Sequence, residues 1–195
     1  ARALIGNAVE QNNISGALNY ARTAERDYKG KDKAWLLSTL YELEAKAQNW
    51  QAAEENLYKA IKKKAVDRQK ADKDYAAIVT SRARELQIEG NDLKATNLLK
   101  TVLKKDTAFA PAVEDIYHLY IKQRKKRAAA NILKKAWAKN PHPDFVYLWK
   151  QLGVDFGKSE EDISWLRKLT TQKTKHVESY LALAEANINA ENYDY

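Results

Sequence analysis

The sequence contains no cysteine and no methionine among its 195 residues. The lack of cysteine excludes disulfide bonds, thiolate metal sites and cysteine nucleophiles. Only six glycines and three prolines are present, and so few turn residues argue against a β fold with its many tight turns. No segment approaches the roughly 18 uninterrupted apolar residues of a membrane span, and no signal peptide opens the chain. The small number of turn residues favours a helical chain.

The composition that remains is typical of helices, since Ala, Leu, Lys, Glu and Gln dominate. There are 34 Lys and Arg against 26 Asp and Glu, which gives a net charge of +8. Such an excess suits an anionic partner or a membrane surface, although among so many acids it first indicates solubility. The length allows one ordinary domain or about four to six repeats of ~34 residues.

Five polar turns divide the chain at nearly regular intervals. They lie at 12–17, 49–53, 90–95, 125–129 and 191–195, and four of them carry an alanine at the same place: Ala17, Ala53, Ala95 and Ala129. These alanines are separated by 36, 42 and 34 residues. A small residue just after a polar turn, at a period near 34, is typical of tetratricopeptide repeats (TPR). The long interval contains the charged segment 65–74, which either lengthens the flanking helices or forms a surface loop.

Apolar residues follow each turn at helical spacing: Leu57, Ala60 and Ile61, then Leu98, Leu99 and Val102, then Ile132, Leu133 and Ala136. Asn140-Pro141 ends the last of these helices, in the fourth repeat, where proline stops helix B of a TPR. The sequence therefore predicts an all-α fold, a right-handed superhelical stack of TPR-like helix-turn-helix repeats. We expect a single array over 1–195, with repeats at 1–30, 33–66, 74–107 and 110–141, a degenerate repeat at 144–172 and a partial repeat at 177–195.

The two ends of the chain suggest a fragment of a longer protein. The chain does not start with Met, and it ends at Asn192-Tyr193-Asp194-Tyr195 on an unfinished turn. The partial repeat contains Tyr180, Leu183 and Ala184 but has no helix B. We expect its apolar face to be covered in the longer protein.

Three segments resemble the TPR region of the HemY family, bacterial inner-membrane proteins associated with late haem biosynthesis. The segments are 2–10 (RALIGNAVE), 37–50 (LSTLYELEAKAQNW) and 136–144 (AWAKNPHPD), and the last is the most specific. The resemblance implies two N-terminal transmembrane helices, absent from this chain, followed by a soluble array. It also implies a non-catalytic scaffold that binds a protein or peptide partner, such as a haem-pathway enzyme. The array is expected on the cytoplasmic side of the inner membrane, with the periplasm as the alternative.

An unrelated flavin enzyme that oxidises protoporphyrinogen shares the family name. It would need a Gly-x-Gly-x-x-Gly loop for the dinucleotide pyrophosphate. The six glycines, at 6, 16, 30, 90, 153 and 157, form no such loop. A nucleophilic hydrolase is equally unsupported, because no Gly-x-Ser-x-Gly elbow is present.

The concave groove of a TPR array is lined by helix A of each repeat, so the repeat phase predicts which side chains contact a partner. The partner-groove candidates are Trp35, Glu42, Lys46, Thr80, Arg84, Gln87, Glu114, His118 and Lys122. A phase error of one residue would replace most of them. The five tryptophans, with Tyr41, Tyr58, Tyr117 and Tyr120, fall at packing positions, which leaves no aromatic stripe for binding nucleic acid.

Axial ligation of haem by His118 or by a tyrosine offers the one route to a cofactor. A groove-facing His118 could ligate haem iron or respond to pH, which makes a haem or porphyrin carrier an alternative function. The simpler interpretation is a half-exposed histidine without a ligand. The three histidines lack metal-site spacing, so no metal is expected. His142, between two prolines, is expected to hydrogen-bond its own turn, and His176 receives no role.

The segment 122–127 places five cations in six residues at the inter-helix turn of the fourth repeat. If the array lies near a bilayer, Arg124, Lys125, Lys126 and Arg127 could contact anionic headgroups, at ~1 kcal/mol per basic side chain. A solvated turn on a basic protein is the equally ordinary interpretation. A peripheral lipid-binding module is therefore a third possible function.

Overall fold

The computed structural model describes residues 1–27, 33–153 and 160–190, and these form helices and no strand. The helices are α1 Arg2–Glu10, α2 Ile14–Asp27, α3 Ala34–Lys46, α4 Trp50–Lys62, α5 Arg68–Ile88, α6 Asp92–Lys105, α7 Ala110–Lys122, α8 Lys126–Lys139, α9 Pro143–Leu152, α10 Glu160–Thr170 and α11 Val177–Asn189. Within the described ranges no helix has the length and apolarity needed to cross a bilayer. The predicted fifth turn, 191–195, lies outside the described residues, as do 28–30 of the first predicted repeat.

The chain divides into two compact units, Ala1–Glu85 (unit 1) and Leu86–Tyr195 (unit 2). In unit 1, α1 packs on α2, α2 on α3 and α3 on α4. One core cluster of this unit joins Ile5, Leu18, Leu36 and Leu40. A second joins Leu37, Tyr41, Leu57 and Ile78. Leu36 and Leu40 lie four residues apart on α3, as do Leu37 and Tyr41, so this helix contributes two adjacent faces to the two clusters.

The four alanines that define the repeat phase, Ala17, Ala53, Ala95 and Ala129, are fully buried, with 0% of their surface exposed. Each lies in the first turn of a second helix, α2, α4, α6 or α8. A methyl side chain lets two helices approach closely there, and a larger residue would force them apart. The alanine pattern in the sequence therefore reflects helix packing.

The turn before each of these alanines has one backbone conformation. Five residues before the alanine lies a residue with positive φ: Asn12 at 53°, Gln48 at 60°, Gly90 at 80° and Arg124 at 58°. Only Gly90 is a glycine, the residue that adopts this left-handed region without a steric cost. Asparagine is also found there more often than other residues, so only Gln48 and Arg124 adopt it against the preference of their side chains.

The long interval between Ala53 and Ala95 is accommodated by the length of α5, which has 21 residues. The helix starts after Asp67, whose Oδ1 accepts hydrogen bonds from the backbone N–H groups of Gln69 and Lys70 at 2.9 and 3.1 Å. These bonds satisfy donors that a helix start leaves unpaired. Of the two alternatives for segment 65–74, the lengthened helix is therefore the observed one.

In unit 2 the odd-numbered helices form one row, because α7 packs on α9 and α9 on α11. The even-numbered α8 and α10 pack on each other in a second row. The segment predicted to be a degenerate repeat forms α9 and α10, with Trp149, Leu166 and Leu169 almost completely buried. Helix pairs thus continue through residues whose sequence pattern is weak.

The predicted packing positions of one tyrosine and one isoleucine in α4 were wrong. Tyr58 is 69% exposed and Ile61 is 41% exposed, although both were assigned to the packing face of α4. The buried face of that helix is formed by Ala53, Leu57 and Ala60. Tyr58 follows Leu57 directly and so points about 100° away from it on a helix of 3.6 residues per turn.

Candidate functional site

A cavity of about 390 Å³ lies in unit 1 between α3, α4 and α5. Helices α3 and α5 are the first helices of two successive repeats, which is where the groove was expected. We call this cavity the α3–α5 groove. Its walls are formed by Tyr41, Glu42, Ala45, Lys46, Trp50, Lys70, Asp74, Ala77, Ile78 and Ser81.

Lys70 is the centre of a polar cluster on one wall of the groove. Its Nζ donates hydrogen bonds to the Tyr41 hydroxyl, to Glu42 Oε1 at 2.8 Å and to Asp74 Oδ2 at 2.9 Å. These three bonds use all three donors of the ammonium group. The hydrogen bond to Glu42, followed by that to Tyr41, raises the pKa of Lys70 above its usual range. Lys70 therefore stays charged and fully engaged.

Tyr41 connects the cluster to the core. The residue is only 2% exposed, and its hydroxyl donates to Asp74 Oδ2 at 2.8 Å. Lys70 Nζ also lies 5.1 Å from the centroid of its ring, within the range of a cation–π interaction. Burial raises the pKa of Tyr41 to about 12. The phenol is therefore protonated at neutral pH and works as a fixed hydrogen-bond donor.

The cluster has one excess negative charge, because two carboxylates surround a single ammonium group. The side chains of Glu42 and Asp74 are 47% and 31% exposed, and each carboxylate can accept more hydrogen bonds than Lys70 and Tyr41 supply. The groove therefore presents hydrogen-bond acceptors to a ligand and no free donor from Lys70. Apolar surface from Trp50, Ala77 and Ile78 lies beside them.

The sequence-predicted groove residues do not all meet in this site. Glu42 and Lys46 line the α3–α5 groove, and Arg84 is exposed further along α5. Trp35 instead packs against the core of α1, α2 and α3, with the Arg2 guanidinium carbon 5.2 Å from its ring centroid. Gln87 is half-buried near the end of α5 in unit 2.

Thr80 is a correction to the predicted groove. It is 3% exposed, and its hydroxyl has no hydrogen-bond partner in the part of the chain that the structure describes. A phase error explains this result, because the next residue, Ser81, lines the groove. Thr80 lies on the packing face of α5 with Ala76 and Ala83.

Three predicted residues lie along the exposed surface of α7 in unit 2. His118 and Glu114 are each about half exposed, and His118 Nε2 lies 4.0 Å from Glu114 Oε1. Lys122 Nζ contacts Asp92 Oδ2 of α6 at 2.6 Å. Within residues 1–27, 33–153 and 160–190, no three His, Cys, Asp or Glu side chains are grouped to hold a metal ion.

Tyr41, Trp50, Lys70, Asp74 and Ser81 belong to the groove but were absent from the sequence-based set. Lys70 and Asp74 fall in the segment that interrupts the regular repeat spacing, so the repeat phase gave them no position. Their i,i+4 spacing with opposite charges was the available signal, because it places both on one helix face. That signal is common and would not have singled out this pair.

Two further cavities lie among the described residues of unit 2. One, of about 360 Å³, lies between α9 and α11, where Lys150 Nζ pairs with Glu185 Oε1 at 2.8 Å. The other, of about 490 Å³, lies beside α10 and α11 and includes Tyr180 and Leu183. The first of these also contains Glu178. The α3–α5 groove differs in that Lys70 bonds to two carboxylates and to the buried Tyr41 hydroxyl in one cluster.

The fold resembles that of solved TPR proteins. A tetratricopeptide repeat protein from Parabacteroides merdae matches with a TM-score of 0.52 and 16% identity, over 96% of this chain and 71% of that chain. A thermophilic TPR protein of Thermus thermophilus matches with a TM-score of 0.37 and 17% identity, over 95% of this chain and 96% of that chain. No protein-family profile and no curated protein sequence matches. The prediction of an all-α, TPR-like fold is confirmed.

Proposed function

We propose that this chain is a non-catalytic scaffold that binds a protein or peptide partner in the α3–α5 groove. The observation that carries the proposal is the Lys70 cluster, which places two partly exposed carboxylates beside apolar surface in one cavity. Repeat arrays bind extended segments on the surface formed by successive first helices. The fold itself hosts many ligands, so the site has to identify the partner.

The chemistry of the groove favours a partner segment with a basic side chain. The ammonium of Lys70 already donates to three oxygens, so an anionic ligand would find no free donor there. A lysine or arginine from the partner would meet Glu42 and Asp74, and its aliphatic stem would pack on Trp50 or Ala77. The excess negative charge of the cluster favours the same ligand at Glu42 and Asp74. The exposed Lys46 on the groove wall adds one cation, which an acidic side chain of the partner would meet.

Selection from a random-peptide phage library on the intact chain tests this proposal. We expect the selected peptides to be rich in Lys and Arg and to bind at least roughly tenfold more weakly to the Glu42→Gln, Asp74→Asn variant, a loss of about 1.4 kcal/mol. A matched control is Glu10→Gln, Glu55→Gln, which removes two exposed carboxylates of unit 1 outside the groove. Equal binding to both double variants would remove the α3–α5 groove from the proposal.

We further propose, from the HemY resemblance alone, that the partner belongs to late haem biosynthesis and that the chain is held at the inner membrane. The three resembling segments are the support for this step. Cross-linking the full-length protein in its own membrane tests it directly. Recovery of partners with no connection to haem synthesis would contradict it, and would leave the groove proposal standing.

A haem carrier is the second candidate function, and the exposed imidazole of His118 is the observation that favours it. Titration with hemin is the test. We expect a Soret shift that is lost in His118→Ala and kept in His176→Ala. Identical spectra for the two variants would rule out His118 as an axial ligand.

A further inference from the structure

The two most exposed large apolar side chains of the described residues lie on either side of one turn. Ile88, the last residue of α5, is 89% exposed, and Leu93, in the first turn of α6, is 75% exposed. Both belong to unit 2. Exposed side chains of this size contribute nothing to the core, and two of them on one turn form an apolar surface of the kind that marks a contact site.

A second turn of unit 2 lies at the same edge. Helices α6 and α7 pack together, and Lys122 at the end of α7 pairs with Asp92 at the start of α6. The turn that follows Lys122 therefore lies beside the turn that carries Ile88 and Leu93. It holds Arg124, Lys125, Lys126 and Arg127, all of them exposed. We call these four cations, with Ile88 and Leu93, the basic edge.

The cations of the basic edge are not used inside the fold. Lys125 Nζ donates to Gln123 Oε1 at 2.8 Å, and no ion pair joins a carboxylate of the described residues to Arg124, Lys126 or Arg127. Lys126 and Arg127 also occupy the first turn of α8, which has no acidic residue. Cations at a helix N-terminus oppose the helix dipole, so they cost stability where they stand.

We propose that the basic edge binds the surface of an anionic lipid bilayer. Ile88 and Leu93 would enter the boundary between headgroups and acyl chains, and the neighbouring cations would pair with anionic headgroups at the same level. Apolar side chains that protrude from a turn suit a fluid apolar medium, whereas a peptide ligand needs a groove. A nucleic acid would gain nothing from them, and the basic edge contains no aromatic residue on which bases could stack.

The proposal concerns a surface separate from the α3–α5 groove, so either can fail without the other. Two acids lie near the apolar pair. Asp92 is neutralised by Lys122, and Glu89 Oε2 accepts a hydrogen bond from Asn91 Nδ2 at 3.3 Å. One unpaired carboxylate against four cations leaves the edge strongly positive.

Vesicle sedimentation with the intact chain tests the electrostatic part. We expect binding to phosphatidylcholine vesicles that contain phosphatidylglycerol, little binding to phosphatidylcholine alone, and release at about 1 M salt, where the Debye length is about 3 Å. The variant Arg124→Gln, Lys126→Gln, Arg127→Gln should lower the partition coefficient roughly 100-fold, because each cation contributes about a fivefold factor. The control Lys62→Gln, Lys63→Gln, Lys64→Gln removes the same charge from another exposed turn, which also contains a residue with positive φ, Lys64. It should bind almost as the unchanged chain does.

A second measurement tests insertion. The chain has no cysteine, so Leu93→Cys accepts a single environment-sensitive fluorophore. We expect its emission to shift to the blue on anionic vesicles, and the same label at Tyr58→Cys to show no shift. Replacing both apolar residues, Ile88→Ser and Leu93→Ser, should weaken vesicle binding roughly tenfold. The double variant Leu4→Ser, Tyr58→Ser is the matched control.

Three results would overturn the proposal. Equal loss of binding in the triple variant at 124, 126 and 127 and in the triple variant at 62–64 would show that binding depends only on net charge. An unshifted label at position 93 on bound protein would show that the edge does not enter the bilayer. Tight binding to RNA that needs the cations but not Ile88 and Leu93, without vesicle binding, would assign the edge to nucleic acid instead.

Discussion

Trp149 and Trp165 each donate the indole N–H to the backbone carbonyl of the other, at 2.9 and 3.0 Å, and their rings stack with centroids 4.7 Å apart. This reciprocal pair joins α9 to α10. The carbonyl of Trp149 belongs to the last turn of α9, where it lacks an intrahelical partner, so Trp165 satisfies it. The cations of Lys134 and Lys168 lie over the two rings.

Trp165→Phe should destabilise the chain by about 1–3 kcal/mol, because it removes one hydrogen bond and leaves the Trp149 carbonyl unpaired. The loss should appear in urea unfolding, together with a weaker near-ultraviolet circular dichroism signal from the stacked indoles. Trp50→Phe, which changes a half-buried tryptophan of unit 1, should preserve that signal. A Trp165→Phe spectrum identical to the original would contradict the pairing.

The buried carboxylate of Glu44 predicts an asymmetric response to mutation. Glu44 is 2% exposed and receives two hydrogen bonds from Arg22, at 2.8 and 2.7 Å, and one from Asn49 at 2.9 Å. Arg22→Ala would leave a buried charge without its cation and should cost about 3 kcal/mol in free energy of unfolding. Arg26→Ala, which breaks an exposed pair with Asp27 on the same helix, should cost less than about 1 kcal/mol. Denaturant titration decides, and equal costs would contradict the prediction.

Tyr41 predicts a loss of stability at alkaline pH. Since burial raises its pKa to about 12, the folded state holds the phenol proton more tightly than the unfolded state, where the pKa is about 10. Its contribution is therefore complete below about pH 10 and is lost as the pH rises towards 12, by up to roughly 2–3 kcal/mol.

Urea unfolding at pH values from about 8 to 11 measures this effect. Tyr41→Phe should start from a lower stability, because the hydrogen bond to Asp74 is lost, and should then fall less steeply with pH. Tyr58→Phe, which alters an exposed phenol, should follow the unchanged chain. Parallel slopes for the Tyr41→Phe variant and the unchanged chain would show that Tyr41 does not cause the decline.

Two histidines act as helix caps and should be replaceable on that basis. Nδ1 of His142 accepts the backbone N–H of Asp144 at 3.3 Å, and Nδ1 of His176 accepts that of Glu178 at 3.2 Å. Replacing either histidine by Ala should cost about 1 kcal/mol, whereas Asn should retain most of the stability. Thermal unfolding monitored by circular dichroism measures both, and a full loss in the Asn variants would point to another role.

The two histidine caps show which of these hydrogen bonds could be predicted from the sequence. The hydrogen bond of His142 with its own turn was expected, and it is confirmed. His176 received no role, yet it lies 34 residues after His142 and is likewise followed two residues later by an acid. The repeat period linked the two positions, and only the weak pattern between 144 and 172 hid that relation.

The fold was more predictable than the groove for a physical reason. Close helix packing tolerates only small residues, so the repeat can be recognised in the sequence from Ala17, Ala53, Ala95 and Ala129 alone. A groove is exposed, and nothing in packing restricts its residues. The extended start of α5 therefore brought Lys70 and Asp74 into the site with no sequence signal beyond their common i,i+4 charge spacing, and Thr80 is buried because the repeat phase was wrong by one position.

Three residues with positive φ are positions where a substitution by glycine should raise the melting temperature of the chain. Gln48, Lys64 and Arg124 hold the left-handed conformation without being glycine, and each non-glycine residue in this region is disfavoured by roughly 1 kcal/mol. Gly90 already relieves that strain in its own turn. Glycine at the other three positions should raise the melting temperature stepwise, and repeats recoded in this way would keep the groove unchanged while tolerating mutations that the present chain could not survive.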